Sequence, residues 1–434
     1  MEILSLGEKI KRHRKELNMT LKDLAGGRIT PGQISLVECG KSNPSMDLLE
    51  YLAATLKTSV EYLMESEETQ AEKVCDYYEN LAESYIINKD FQIAEQFLEN
   101  TMYYAERYKL EYRKARNMYL RGIILTHKNE EALAQQLFLA ANTIFIKQGN
   151  QKEVINTYIK LGKITYKLKA YHSACSYFQQ AERILTENKF GDYFLLGEIY
   201  YLIALVYYKL NDISTSMNYS YLAKEKFIEL NDKKKYGKTL ILISEEYLKK
   251  EDIASAIKYS KMALEVFKND EDRNYESKIE NDLGKLFYEF DNIEESFVHL
   301  NIAKEMRKKS SGPEIIETLT SICENYIKLK DVENSKKTLE EILDNISQGD
   351  KNSLLKYYML KYRVDMLSNS IVEAENTLFL ALDYAENCTL IKEVAEISIL
   401  IGKFYIDVGN DKKATLYLDK GVDLFKKLGI LNDL

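Results

Sequence analysis

In residues 6–17, LGEKIKRHRKEL, the apolar Leu6, Ile10 and Leu17 fall near one stripe of a helix, and lysines and arginines fill the opposite face. The pattern predicts a basic amphipathic helix. The triplet NMT breaks it, Thr20 is a suitable N-cap, and LKDLA predicts a short second helix that stops at Gly26-Gly27. Thr30 then caps a third helix. Pro31 sits at the first helical position, where no amide is needed, and Gln33 lies three residues after the cap, the spacing of a capping box. Ile34 and Val37 are expected to point into a small core, with Gln33, Ser35 and Leu36 nearer the outside and Gly40 ending the helix. Pro44 and Ser45 introduce a fourth helix, MDLLEYLAATL, and SVEYLM makes a fifth.

Further along, the pattern becomes periodic. A small residue is followed three positions later by a residue that is usually Tyr or Phe, then typically by Ala or Ser at twelve, a bulky residue at sixteen and often Ala at nineteen, as in Gly162, Thr165, Ala174, Phe178 and Ala181. The leading positions are 82, 122, 162, 204, 244, 284, 323, 362 and 402, spaced by 39 to 42 residues. Each interval has room for two helices of roughly 17–20 residues and their turns. Small residues at fixed places let two helices approach closely while the aromatic fills the next groove, which is the logic of a helical-pair solenoid. The eighth repeat is weaker, with Tyr362 in place of the small residue, and Pro313 is expected in the first turn of the helix opening the seventh.

Composition sharpens this picture. Proline occurs only at 31, 44 and 313, which suits helix throughout. The formal charge of −8 argues against a protein coated in nucleic acid, yet residues 1–44 hold eight Lys or Arg against five acids, a local +3. Five cysteines and four histidines are scattered singly, with no spacing suited to a zinc shell, so a reduced chain without metal or cofactor is expected. Cys39, beside a turn, reads as tolerated rather than as a redox switch. The longest apolar run, YYLIALVYY at 200–208, is too short to cross a bilayer, and Glu8 and KIKRHRK interrupt any signal-peptide core. A cytoplasmic location away from membranes follows. No Ser/His/Asp set, Walker loop or Gly-rich nucleotide turn is present, so catalysis is not expected.

The first 60 residues resemble the Xre family of phage-repressor-like helix-turn-helix domains. The match is carried by Leu6-Gly7, Ile10, Arg14, Leu17, Thr20, Leu24-Ala25, Ile34-Ser35, Glu38, Gly40-Lys41, Pro44-Ser45, Leu48 and Ala53. In such domains the N-terminal part of the third helix enters the major groove. Thr30, Gln33 and Ser35 are the candidates there, with Gln33 either reading adenine or only completing its capping box. Lys41, Ser42 and Asn43 suit phosphate contacts. Arg14, with Arg12 and Lys15, is either a phosphate contact or part of a solvated face. Leu21 stands where the family usually has a capping Gln, and Pro31-Gly32 occupy positions often filled by base-reading polar residues, so direct readout is expected to be sparse.

The periodic region resembles the tetratricopeptide repeat, stretched beyond its usual unit. The resemblance implies an all-α chain: a five-helix DNA-binding domain over 1–66 and a right-handed superhelix of about nine helical pairs over 67–434. In a solenoid of this kind the first helix of each pair lines the concave surface. Its non-core residues are therefore ligand candidates: Asn117, Asn156, Lys163, Tyr201, Tyr208, Lys238, Asn281 and Lys285. Amides, charges and tyrosines suit a peptide, whose backbone needs donors and acceptors at regular spacing.

Together the two parts resemble the RRNPP group of peptide-sensing (quorum-sensing) regulators, most of all its NprR-like and PlcR-like branches. The resemblance implies a transcription factor that forms a homodimer or higher oligomer through its repeats and binds a double-stranded operator. It would respond to a short secreted signalling peptide in the concave groove. It also implies an alternative, a repeat protein that modulates a response regulator, with DNA binding secondary.

Overall fold

The structure is a computed structural model and describes residues 2–188, 191–268, 273–308, 314–347 and 350–428. All regular structure among these residues is helical. The expectation for Pro313 lies outside the described residues.

The first of two compact units, Met1–Leu210, opens with five short helices. These are α1 (Leu6–Glu16), α2 (Leu21–Ala25), α3 (Pro31–Glu38), α4 (Met46–Thr55) and α5 (Val60–Met64). Ile10, Leu24, Ile34, Leu52 and Leu63 are fully buried among them and form their core. The unit continues with α6 (Glu67–Ile87), α7 (Phe91–Arg107), α8 (Glu111–His127), α9 (Glu131–Lys147), α10 (Gln151–Lys167), α11 (Tyr171–Glu187) and α12 (Tyr193–Lys209).

The second unit, Asn211–Leu434, holds α13 (Ile213–Glu229), α14 (Lys233–Lys249), α15 (Ile253–Phe267), α16 (Arg273–Glu289), α17 (Ile293–Lys308) and α18 (Glu314–Lys328). It ends with α19 (Val332–Asn345), α20 (Lys351–Leu367), α21 (Ile371–Asn387), α22 (Ile391–Asp407) and α23 (Asp411–Lys427).

The 40-residue period is fixed by its turns. Seven residues after each leading position the chain takes a left-handed conformation, at Lys89, Asn129, Lys169, Asn211, Glu251, Asp291, Lys330, Asn369 and Gly409. The next amide folds back onto the last helical turn; Asp90 N, for example, donates to Tyr85 O at 2.9 Å. This is a Schellman-type stop that costs one residue, so the next helix begins at once. Asp212, Asp252 and Asp331 accept from the third helical amide beyond them and cap that helix.

Within a pair, the leading small residue meets the bulky residue sixteen later. A Cβ on Gly162 would stand 2.4 Å from the Phe178 ring, which is fully buried. Leu300 and Leu418 press in the same way on Gly284 and Gly402. The sixteenth residue is thus the one that needs the glycine, and aromatic residues at the third position pack elsewhere: Tyr85 stacks on Phe97 at 5.6 Å. Gly162→Ala should destabilise its unit by about 1–3 kcal/mol through overpacking. Urea unfolding followed by circular dichroism checks this, and an unchanged midpoint would contradict it.

Candidate nucleic-acid interface and ligand groove

Helix α3 is held by both ends and from behind. Thr30 Oγ1 accepts from Gln33 N at 3.2 Å, and Gln33 Oε1 accepts from Thr30 N at 2.9 Å, which completes a capping box. At the other end Gly40 takes a φ of 70° and Lys41 N donates to Leu36 O at 2.8 Å. Behind it, α1 approaches so closely that a Cβ on Gly7 would lie 2.5 Å from the carbonyl oxygens of Val37 and Glu38. A side chain at residue 7 would push the two helices apart.

Thr30 and Gln33, with Lys41, Ser42 and Asn43, are exposed, and Ser35 is half-buried. The structure brings these six together along α3 and the loop that follows it. Arg14 does not join them. Its Nε and Nη2 donate to Glu38 Oε1 and Oε2 at 2.6 and 2.9 Å, and Nη1 donates to Met19 O at 2.9 Å. Its side chain is 13% exposed. The guanidinium fastens α1 to α3 and to the turn before α2, so the expectation of a phosphate contact is corrected to a positioning role. Arg12 is exposed but paired with Glu2 and Glu16.

The five-helix segment is also fastened to α6. Lys9, fully buried, donates through Nζ to the carbonyls of Tyr62 and Glu65, both at 2.7 Å. Burial pushes its pKa down. Gln70 accepts from Leu4 N at 3.1 Å and donates to Leu4 O at 2.9 Å.

In the first unit, the first helices of the pairs carry a charge network. Arg113 bonds Glu72, Asp76 and Glu79 at 2.7, 3.1 and 2.7 Å, and Arg116 reaches Glu83 and Glu153. Burial raises the Glu79 carboxyl to about 7 despite Arg113. Lys163 pairs with Glu198 at 2.7 Å. Asn156, Tyr201 and Tyr208 are half-buried. Asn117 has no exposed surface, and its Nδ2 donates to Leu98 O at 2.6 Å. It ties α8 to α7 and has no surface in the groove.

In the second unit, a groove of about 760 Å³ runs across α16, α18, α20 and α22. Its charges alternate in sign from helix to helix: Lys285, then Glu317 and Glu324, then Lys356 and Arg363, then Glu396. Lys285 bonds Glu317 at 2.5 Å and Arg363 bonds Glu324 at 3.3 Å. An extended chain crossing these helices would meet donors and acceptors in turn. Lys238 is half-buried and lies over the Tyr275 ring at 5.0 Å. Asn281 is fully buried, so of the sequence candidates Lys285 alone lines this groove. Groove residues of α18 and α20 repeat the register that singled out Asn281 and Lys285 on α16. Extending that stripe by two repeats would have found Thr320, Glu324, Met359 and Arg363.

No cluster of metal-ligating side chains occurs among the described residues, and no described helix is long and apolar enough to cross a membrane.

Residues 10–63 match the helix-turn-helix family HTH_3. The N-terminal domain is a helix-turn-helix. The rest has the fold of known repeat regulators. The apo quorum sensor NprR from B. thuringiensis superposes with a TM-score of 0.58 at 13% identity, over 83% of this chain and 100% of that one. The apo form of RapI gives 0.51 at 19% identity, over 64% and 99%. Aspartyl phosphate phosphatase F from Bacillus subtilis gives 0.51 at 16%, over 85% and 97%. No curated protein matches the chain in sequence. The chain thus joins a helix-turn-helix domain to a tetratricopeptide-like domain of the NprR and Rap fold.

Proposed function

We propose that the chain is a cytoplasmic, homodimeric transcriptional regulator. Its α3 face binds operator DNA, and its repeats bind a short signalling peptide that alters that binding. The observation that carries the reading is the joining of a helix-turn-helix domain to a groove of alternating charge, about 760 Å³ in volume. A groove of that size suits a ligand of a few residues. Coupling is physically available, because a ligand that prefers one arrangement of the repeats shifts the population of that arrangement. Thr30, Ser35 and Lys41 to Asn43 would face the DNA. Lys285 with the α18 to α22 charges would face the peptide. The reading is of a binding protein rather than an enzyme: His127 stacks on Phe91 and His299 is bonded to Glu280, both in structural roles.

Calorimetry of the full chain against short peptides purified from the producing strain's medium tests this. Binding should be saturable, and Arg363→Glu should weaken it at least about tenfold by placing like charge beside Glu324. Absence of binding, or indifference to Arg363→Glu, would count against the groove. The fold shared with aspartyl phosphate phosphatase F keeps the response-regulator reading as the second one. Recovery of a response regulator with the full chain from lysate, without operator binding, would favour it.

A further inference from the structure

The outward face of α3 is unusual in what it lacks. Ile34 and Val37 are buried behind it, and Pro31, Gly32, Gln33 and Leu36 are exposed in front, Leu36 by 46%. Pro31 and Gly32 have no side-chain hydrogen-bonding group, and α3 holds no lysine or arginine. Gln33 is partly spent. Its Oε1 already accepts from Thr30 N at 2.9 Å and from Thr30 Oγ1 at 3.2 Å. Only its Nε2 donors are free, whereas adenine requires an acceptor and a donor together.

The largest apolar group that this face presents is therefore the isobutyl side chain of Leu36. Its own carbonyl accepts from Lys41 N at 2.8 Å, which sets the exposed loop Lys41 to Asn43 immediately beside it. That loop suits the phosphates, which places Leu36 next to the bases. In the major groove one base offers an apolar group, the C5-methyl of thymine. A single exposed leucine is ordinary on a free surface, but on this helix it is what the base edges meet.

We infer that Leu36 is a specificity-determining residue of the domain and reads the 5-methyl group of a thymine in each half-site. The inference rests on the DNA-binding reading above. It makes the contact apolar, insensitive to salt and specific for a methyl group rather than for a hydrogen-bond pattern.

The test uses the full chain and an operator selected from a randomised double-stranded pool, in which each thymine is replaced in turn by deoxyuracil. One position per half-site should lose affinity about four-fold, the worth of one buried methyl group. Leu36→Ala should bind thymine and uracil operators alike there, with an unchanged melting curve because the residue is exposed. Installing 5-methylcytosine elsewhere should not reproduce the effect. Indifference of the wild type to every uracil replacement, or full sensitivity retained in Leu36→Ala, would overturn the inference. If the pool yields no enriched sequence, the DNA-binding reading fails and the inference falls with it.

Discussion

Arg14→Ala should destabilise the helix-turn-helix domain by about 3–5 kcal/mol, because it strands a buried carboxylate without its partner. Glu38 is only 6% exposed at its side chain, and both its oxygens are held by this guanidinium. The five-helix core is small, so the loss is large relative to what holds it together. Thermal unfolding should show the domain melting early while the repeats keep their transition, with operator binding falling for want of a folded α3. The double variant Arg14→Met/Glu38→Leu should recover most of the stability, since an apolar pair of similar volume often replaces a buried ion pair without cost. A direct phosphate contact would behave differently. Arg14→Ala would then leave folding intact and reduce the salt dependence of binding by about one counterion.

Glu246→Gln should stabilise the second unit at pH 8 by on the order of 3 kcal/mol. Glu246 lies on α14 two residues after its leading small residue, a place that holds Ile124, Ile164, Val206, Leu286, Val364 and Phe404 in other repeats. It is fully buried. Its Oε1 accepts from Ser216 Oγ at 2.5 Å and from Ser220 Oγ at 2.7 Å, and Oε2 has no partner. Burial raises the carboxyl from 4.5 to about 7, and the two serines only moderate the rise.

The sign follows from proton binding. Below pH 4.5 both folded and unfolded chains hold the proton, and stability is full. Between 4.5 and about 7 the unfolded chain releases it first, so stability falls as pH rises, and above 7 the loss is complete. The glutamine variant should remove that part of the slope. Glu79 contributes a slope of the same sign in the other unit, and it cancels when variant and wild type are compared. Urea midpoints at pH 5 and pH 8 check the prediction. Equal pH dependence in the two proteins would contradict it.

Arg14 stood out in the sequence as a candidate, and Glu246 did not. The helices were legible because their signals are local. Thr30, Pro31 and Gln33 state a start, Gly40 states a stop, and α2 and α3 begin where their caps place them. The repeats were legible because nine leading positions recur at intervals of 39 to 42 residues. Arg14 was misjudged because its partner lies 24 residues away, and an arginine on a basic helix looks the same whether it faces solvent or a buried acid. Asn117 and Asn281 were misjudged by one helical step: a stripe predicts a face, but not which of its residues a neighbouring helix covers. The α18 and α20 lining of the groove was within reach of the register, whereas Glu393 and Glu396 on α22 fall outside it.

Fluorescence anisotropy of labelled operator DNA, at fixed salt and with and without the purified peptide, tests the central proposal most directly. The peptide should change operator affinity at least about five-fold, the lower range for coupled sites. Peptide that binds the repeats and leaves operator affinity unchanged would contradict it.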